Sequence, residues 1–141
     1  MSGEANKDIV RRAGDAFGRG DWEELVGLMH DNVAYTLIGS TAFSGTLRGR
    51  AAVFEMLSEG LAPSLSTPGI VMSVDNLIAE GEYVAEQARG ASRTESGAEY
   101  NNSYCRIWRI VEGQILSMTE YLDTELLGRA FDTPSAEGER R

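Results

Sequence analysis

The sequence predicts an α+β fold: three N-terminal helices pack on one face of a curved antiparallel or mixed sheet, and a short C-terminal helix follows. Roughly the first 60 residues carry apolar residues at helical spacing, whereas runs with period-two alternation begin near residue 69. Short turn sequences such as EGE and VEGQ separate those runs, as in hairpins. Helices followed by an antiparallel meander are typical of α+β domains.

The N-terminal segment predicts a helical hairpin. A first helix over about residues 5–17 has apolar residues along one face: Ile9, Val10, Ala13, Ala16 and Phe17. The sequence GRGD after it suits a C-terminal cap and a turn. Asp21 and Glu24 resemble a capping box, which predicts a second helix ending near His30.

A strand, a turn and a third helix are expected next. Val33, Tyr35 and Leu37 alternate with smaller or polar neighbours and predict a short strand. The sequence FSGTLRG is expected to turn the chain. About residues 49–60 then predict the third helix, which has Val53, Phe54 and Leu57 on one side.

Three or four alternating runs and a final helix complete the predicted domain. The runs are about residues 69–79, 82–91, 99–111 and 114–122. Asp123 is expected to cap a short helix, TELLGRAF. We predict a single domain over residues 1–133 and a disordered polar tail over residues 134–141.

Charge and composition exclude several classes of function. The net charge of −9 disfavours binding to nucleic acid or to anionic membranes. No run is long enough to span a bilayer and the N-terminus does not resemble a signal peptide, so a cytoplasmic protein is expected. One cysteine, Cys105, and one histidine, His30, are too few for a disulfide or a zinc site. We therefore predict no metal and no cofactor.

Three stretches resemble a known family: GRGDWEELVGLMHDNVAY, GTLRGRAAVFEML and GQILSMTEYLD. Together with the order of elements, they resemble the nuclear transport factor 2-like superfamily, in particular its ketosteroid isomerase-like and SnoaL-like polyketide cyclase branch. The resemblance covers about residues 5–131. It implies a cone-shaped sheet around three helices with a deep apolar pocket. Such scaffolds host isomerases, epoxide hydrolases, cyclases and binding modules, so the fold alone does not settle function.

The resemblance also implies which residues could carry chemistry. The aspartate base of ketosteroid isomerases falls at Leu37 or Thr36, so their mechanism is not expected. Limonene-type epoxide hydrolases have an aspartate on the last strand and a tyrosine on the first, which Glu120 and Tyr35 match. Ala88, Gly90 and Leu37 stand where those enzymes have an arginine, a second aspartate and an asparagine. A SnoaL-like cyclase needs one pocket carboxylate, for which Glu120 is the counterpart.

Strand alternation predicts that Glu120 points inward with Met118 and Leu122. A two-residue turn at Glu112-Gly113 would put Cys105 opposite Glu120, and a similar hairpin would put Glu86 opposite Cys105. The two carboxylates would then attach ~10 Å apart in one row across three strands. A slip of one residue would instead turn Tyr104, Arg106 and Asp123 inward.

From these observations we predict a cofactor-independent pocket for a small apolar, polyketide-, terpene- or steroid-like molecule. Glu120 would act as acid and base in isomerisation, cyclisation or epoxide opening, Tyr35 would donate a hydrogen bond, and Glu86 would be a second acid. The pocket wall is predicted to contain Trp22, Leu37, Phe54, Leu57, Cys105, Met118 and Leu122. The alternative is a non-catalytic ligand-binding or dimeric association module, with Glu120 paired with an arginine at the rim.

The other face of the sheet is predicted to be rich in aromatic side chains. Tyr104, Arg106, Trp108 and Tyr121 would lie there in the favoured register. Because so much aromatic surface is rarely left in water, we expect a homodimer through this face.

Overall fold

The computed structural model describes residues 2–131, so the predicted boundary at 133 and the tail at 134–141 lie outside the described part. The helices are α1 (Gly3–Arg19), α2 (Trp22–Gly27), α3 (Arg50–Glu55) and α4 (Thr124–Ala130). A π-helical turn (Met56–Leu61) and a 3₁₀ turn (Ala62–Ser64) extend α3. The strands are β1 (Met29–Leu37), β2 (Gly45–Arg48), β3 (Val71–Glu80), β4 (Tyr83–Ala91), β5 (Ser103–Val111) and β6 (Gln114–Leu122).

The six strands form one curved, open sheet in the order β2-β1-β6-β5-β4-β3. All neighbours are antiparallel except β1 and β6, which run parallel, so the sheet is mixed. The first three helices share a hydrophobic core with one face of this sheet. The predicted fold class is confirmed.

Local capping explains where the helices begin and end. The Ser2 hydroxyl accepts a hydrogen bond from the Ala5 N–H and begins α1, and Gly20 ends it in a left-handed conformation with φ 70°. The Asp21 carboxylate accepts from the Glu24 N–H, as the capping box predicted, and the Asp123 carboxylate caps α4. These ends depend on a few neighbouring residues, which is why sequence locates them.

Three predicted elements differ from the structure. His30 lies in β1 and not at the end of α2, because β1 begins at Met29, whose side chain is fully buried in the core. The sequence predicted to be only a turn contains strand β2, which pairs with β1 through contacts such as the 2.8 Å hydrogen bond between the Thr36 and Thr46 hydroxyls. The third helix is α-helical only to Glu55 and continues as the π turn.

A β-bulge in β6 determines which side chains face the helices. The predicted turn at Glu112 and Gly113 is present, and Ile110 pairs with Ile115. The next pair is Arg109 with Ser117, which leaves Leu116 as an extra residue in β6. This insertion moves the partner of every later β6 residue by one position.

The bulge between β5 and β6 and the connection between β4 and β5 each move the pairing by one residue from the predicted row. Glu120 lies opposite Arg106, Cys105 lies opposite Tyr121, and Glu86 pairs with Arg106 on the other side. The predicted pairings of Cys105 with Glu120 and with Glu86 are therefore wrong. Glu86 and Glu120 nevertheless share one row, with an arginine between them.

Candidate functional site

A cavity of about 630 Å³ lies between the helices and the concave face of the sheet. This volume is within the usual range for pockets that bind small molecules. Most of its wall is apolar and includes Val10, Phe17, Leu37, Leu47, Leu57, Leu61, Met72, Leu77, Leu122 and Leu127. The charged groups that the sheet contributes to the wall are Glu86, Arg106 and Glu120. The sheet therefore contributes one charged patch to a cavity whose wall is otherwise mostly apolar.

Arg106 forms ion pairs with the carboxylates on both neighbouring strands. Its Nη1 lies 3.5 Å from Glu86 Oε1, and its Nη2 lies 3.3 Å from Glu120 Oε2. The side chain of Arg106 is only 12% exposed, that of Glu86 3% and that of Glu120 10%. Because a buried charge without a partner is costly, the arginine is what allows both glutamates to face the core.

The two glutamates differ in how firmly they are held. Glu86 Oε1 also accepts a 2.8 Å hydrogen bond from the Trp108 indole N–H, so a hydrogen bond and an ion pair both fix it. Within residues 2–131, the side chain of Glu120 is hydrogen-bonded by Arg106 alone, through Oε2. Oε1 of Glu120 and Oε2 of Glu86 both keep their acceptor capacity for a molecule in the cavity, but only Glu86 is also fixed by an indole N–H.

The guanidinium of Arg106 stays charged in this setting. Burial lowers the pKa of Arg106, but the charges of Glu120 and Glu86 together raise it by more. The pKa therefore lies above its ordinary value. The guanidinium carbon also lies 4.6 Å from the centre of the Tyr104 ring, a cation–π distance. The Tyr104 ring and the two glutamate carboxylates together fix the position of the Arg106 guanidinium.

Tyr35 supplies a neutral donor to the cavity. Its side chain lines the wall, and its hydroxyl has no hydrogen-bond partner in the part of the chain that the structure describes. Burial raises the pKa of Tyr35, and the charge of Glu120 raises it further. The phenol therefore remains protonated at neutral pH and can donate a hydrogen bond to an oxygen of a ligand.

The predicted site residues fall into two groups. The cavity wall contains Glu120, Glu86, Tyr35, Leu37, Leu57 and Leu122. Four predicted wall residues lie elsewhere: Trp22, Phe54, Met118 and Cys105. Trp22 packs edge-on against Phe17 with ring centres 5.6 Å apart, Phe54 is 37% exposed, and Met118 is buried in the core. Cys105 lies on the outer face of the sheet, because it alternates along β5 with Tyr104 and Arg106, which line the cavity.

Tyr104, Arg106 and Trp108 were predicted on the outer face, and this placement is wrong: all three line the cavity. Tyr121 does lie outside and is exposed. The alternative register had turned Tyr104, Arg106 and Asp123 inward; Tyr104 and Arg106 do face the cavity, but Asp123 instead caps α4. One signal could have found Arg106: two inward carboxylates need a cation close by.

The chain belongs to the SnoaL-like domain family, whose sequence model matches residues 10–118. An uncharacterized protein of Mycobacterium tuberculosis is 26% identical over 121 residues, which cover 86% of this chain and 91% of that relative. A solved NTF2-like protein from Burkholderia xenovorans LB400 is 26% identical, with a TM-score of 0.76, covering 93% of this chain and 98% of the other.

A provisionally named SnoaL-like polyketide cyclase from Jannaschia sp. CCS1 has a TM-score of 0.78 at 18% identity, covering 93% of this chain and 94% of the other. At that identity the likeness concerns the fold alone. The predicted membership in the nuclear transport factor 2-like superfamily and its SnoaL-like branch is confirmed. Proteins of this fold include cyclases and isomerases. No helix within residues 2–131 is both long and apolar enough to cross a membrane.

Proposed function

We propose that the protein binds a small, largely apolar ring compound in its cavity and that Glu120 acts on it as a general base. The observation that carries this proposal is the unequal binding of the two glutamates. Glu86 accepts a hydrogen bond from Trp108 and forms an ion pair with Arg106, whereas among residues 2–131 the Glu120 side chain is held by Arg106 alone, which leaves its Oε1 available in the cavity wall. A base must have a free lone pair within reach of the proton it removes.

The presence of both Glu120 and Tyr35 in the cavity wall favours an enolisable carbonyl compound as substrate. Glu120 would take a proton from the carbon next to the carbonyl group, and the enolate oxygen would accept a hydrogen bond from the Tyr35 hydroxyl. Returning the proton at another carbon completes an isomerisation. Attack of the enolate carbon on a second carbonyl group of the same molecule completes a cyclisation.

Glu86 and Arg106 have positioning roles in this proposal. The Trp108 hydrogen bond and the Arg106 ion pair both engage Oε1 of Glu86, so we assign Glu86 as the counter-ion of Arg106 and not as the second acid predicted from sequence. Arg106 in turn fixes Oε2 of Glu120 and so orients its free oxygen. Glu120 would then be the single acid/base group of the site.

A second candidate reaction is the opening of an epoxide by water. It is favoured by the row of two carboxylates bridged by an arginine beside Tyr35. The sequence comparison had found no arginine or second carboxylate at the expected positions, Ala88 and Gly90, but Arg106 and Glu86 provide both groups from other positions. Conversion of indene oxide to its diol, lost on Glu120→Gln, would support this reaction over enolisation.

Deuterium exchange tests the proposed proton abstraction without knowledge of the natural substrate. Proton NMR would follow loss of the α-proton signals of cyclic ketones such as 2-tetralone in D₂O, with and without protein. We expect the parent protein to accelerate exchange and Glu120→Gln to reduce that acceleration by roughly 10²- to 10⁴-fold. Glu125→Gln is the matched control, because Glu125 is an exposed carboxylate on α4 outside the cavity.

The binding module is the rival from another class. Under it, ketones would bind equally well to the parent and to Glu120→Gln, but neither protein would accelerate exchange. Equal exchange rates for the two proteins would remove Glu120 from the mechanism.

A further inference from the structure

The charges that face the cavity do not balance. Five ionisable side chains with a formal charge line it: Arg11, Asp15, Glu86, Arg106 and Glu120. With the carboxylates ionised, the buried row of Glu86, Arg106 and Glu120 has two negative charges and one positive charge. Little water screens this excess, because all three side chains are almost completely buried.

Both cations in the wall are already engaged. Arg106 directs one nitrogen to each glutamate of the row. Arg11, on the exposed side of α1, directs Nη1 to Glu4 at 3.1 Å and to Asp8 at 2.6 Å. An anionic group in the cavity would therefore meet no arginine that lacks a carboxylate, and Glu120 would repel it.

From this arrangement we infer that the cavity excludes anions such as carboxylates and phosphates and, because most of its wall is apolar, takes an uncharged molecule. The inference rests on the proposed function, since it concerns the molecule that the same site binds. It narrows the substrate class to neutral carbonyl compounds. A carboxylated intermediate would have to lose or mask its acid group, for example by decarboxylation or esterification, before this protein could accept it.

The test compares three probes of matched shape on the full-length parent protein. They are 2-acetylnaphthalene, 2-naphthoate and the ammonium form of 2-(aminomethyl)naphthalene, and their dissociation constants would be measured by NMR titration at pH 7. We expect the ketone to bind at least tenfold more tightly than the carboxylate. Equal or tighter binding of the carboxylate would overturn the inference, and so would an ammonium form that binds more than tenfold more tightly than the ketone.

A charge-reversal variant tests the cause of the selectivity. Glu86→Gln combined with Glu120→Gln changes the row from a net negative to a net positive charge, so the carboxylate should gain at least tenfold in affinity while the ketone changes less than threefold. Glu82→Gln combined with Glu125→Gln removes the same total charge outside the cavity and should leave the ratio unchanged. An equal gain in both double variants would assign the selectivity to the overall charge of the protein and overturn the inference.

Two features keep the outcome interpretable. The comparison of probes in the parent protein needs no variant, so a double variant that fails to fold does not remove the test. The probes also measure binding and not turnover. Failure of the proposed acid/base function would appear as unchanged deuterium exchange in Glu120→Gln, independently of the ratio of dissociation constants.

Discussion

Both faces of the sheet have ion pairs between arginine and glutamate, but the two sets of charges lie in different environments. On the concave face, Arg106 joins Glu86 and Glu120 in the cavity wall, where none of the three side chains is more than 12% exposed. On the convex face, three residues further along β5, Arg109 lies 2.8 Å from Glu82, and both side chains are at least 40% exposed. Water screens the outer pair, whereas the inner charges depend on one another. Burial, not the presence of a salt bridge, distinguishes the two faces.

The largest expected difference between the faces is in stability. Arg106→Met leaves two buried carboxylates without their cation and should lower the free energy of unfolding by about 3–5 kcal/mol. Arg109→Met removes only a solvated pair and should cost less than about 1 kcal/mol. Urea denaturation of both variants measures the difference. Similar losses in the two variants would mean that the inner row is as well solvated as the outer pair.

The convex face should determine association and not ligand binding. Its exposed or half-buried side chains include Ile78, Tyr83, Cys105, Ile107 and Tyr121, and no helix of residues 2–131 packs on them. We propose that a second copy of the chain covers this patch. Ile107→Lys should weaken the dimer by about 100-fold in sedimentation velocity, equivalent to about 2.7 kcal/mol, and leave ketone exchange intact.

Ala51→Lys is the control for that experiment, because it adds the same charge at an exposed position on α3 away from the sheet. A parent protein that is monomeric at every concentration would contradict the proposed dimer. Loss of ketone exchange in an Ile107→Lys variant that still folds would show that the two faces are not independent.

Trp108→Phe should have a smaller effect on the concave face. The change removes the indole N–H that donates to Glu86 at 2.8 Å and leaves part of the ring volume unfilled. We expect a loss of about 1–3 kcal/mol in the free energy of unfolding. Tyr83→Phe removes a polar group from an exposed aromatic residue of the convex face and should change stability by less than about 0.5 kcal/mol. Equal losses would contradict the contact with Glu86.

The smallest expected effect is in alkaline solution. Burial raises the pKa values of Tyr35 and Tyr104 above their ordinary value, so the folded protein disfavours their ionised forms. Their contribution to stability is complete below pH 10, the ordinary tyrosine pKa, and declines as the pH rises above 10, because the unfolded chain then loses protons first. Denaturation between pH 8 and pH 11 should show a shallower decline in Tyr35→Phe. An unchanged slope would contradict the burial of this phenol.

Features that depend on neighbouring residues were predictable from the sequence. The caps at Asp21 and Asp123 and the turn at Glu112 and Gly113 involve contacts over two or three residues, and each is present. The inward direction of Glu120 followed from alternation along one strand. These predictions required no knowledge of what lies across the sheet.

The bulge at Leu116 could not be predicted in the same way. No local sequence motif marks it, and its consequence appears only across strands, where it pairs Glu120 with Arg106 and not with Cys105. The pairing of Arg106 with Glu86 depends on the separate connection between β4 and β5. The placement of Trp22 likewise depends on its contact with Phe17 in another helix. Register and cavity walls depend on tertiary contacts, so alternation along a single strand identified one carboxylate but not its partner.

A pair of double-mutant cycles most directly tests the claim that the inner row is one coupled charge network. One cycle combines Arg106→Met with Glu120→Gln, and the other combines Arg109→Met with Glu82→Gln. We predict a coupling energy of about 1.5–3 kcal/mol for the inner pair and less than about 0.5 kcal/mol for the outer pair. Equal coupling energies would contradict the account, because Glu120 would then be a solvated carboxylate with no special environment for chemistry.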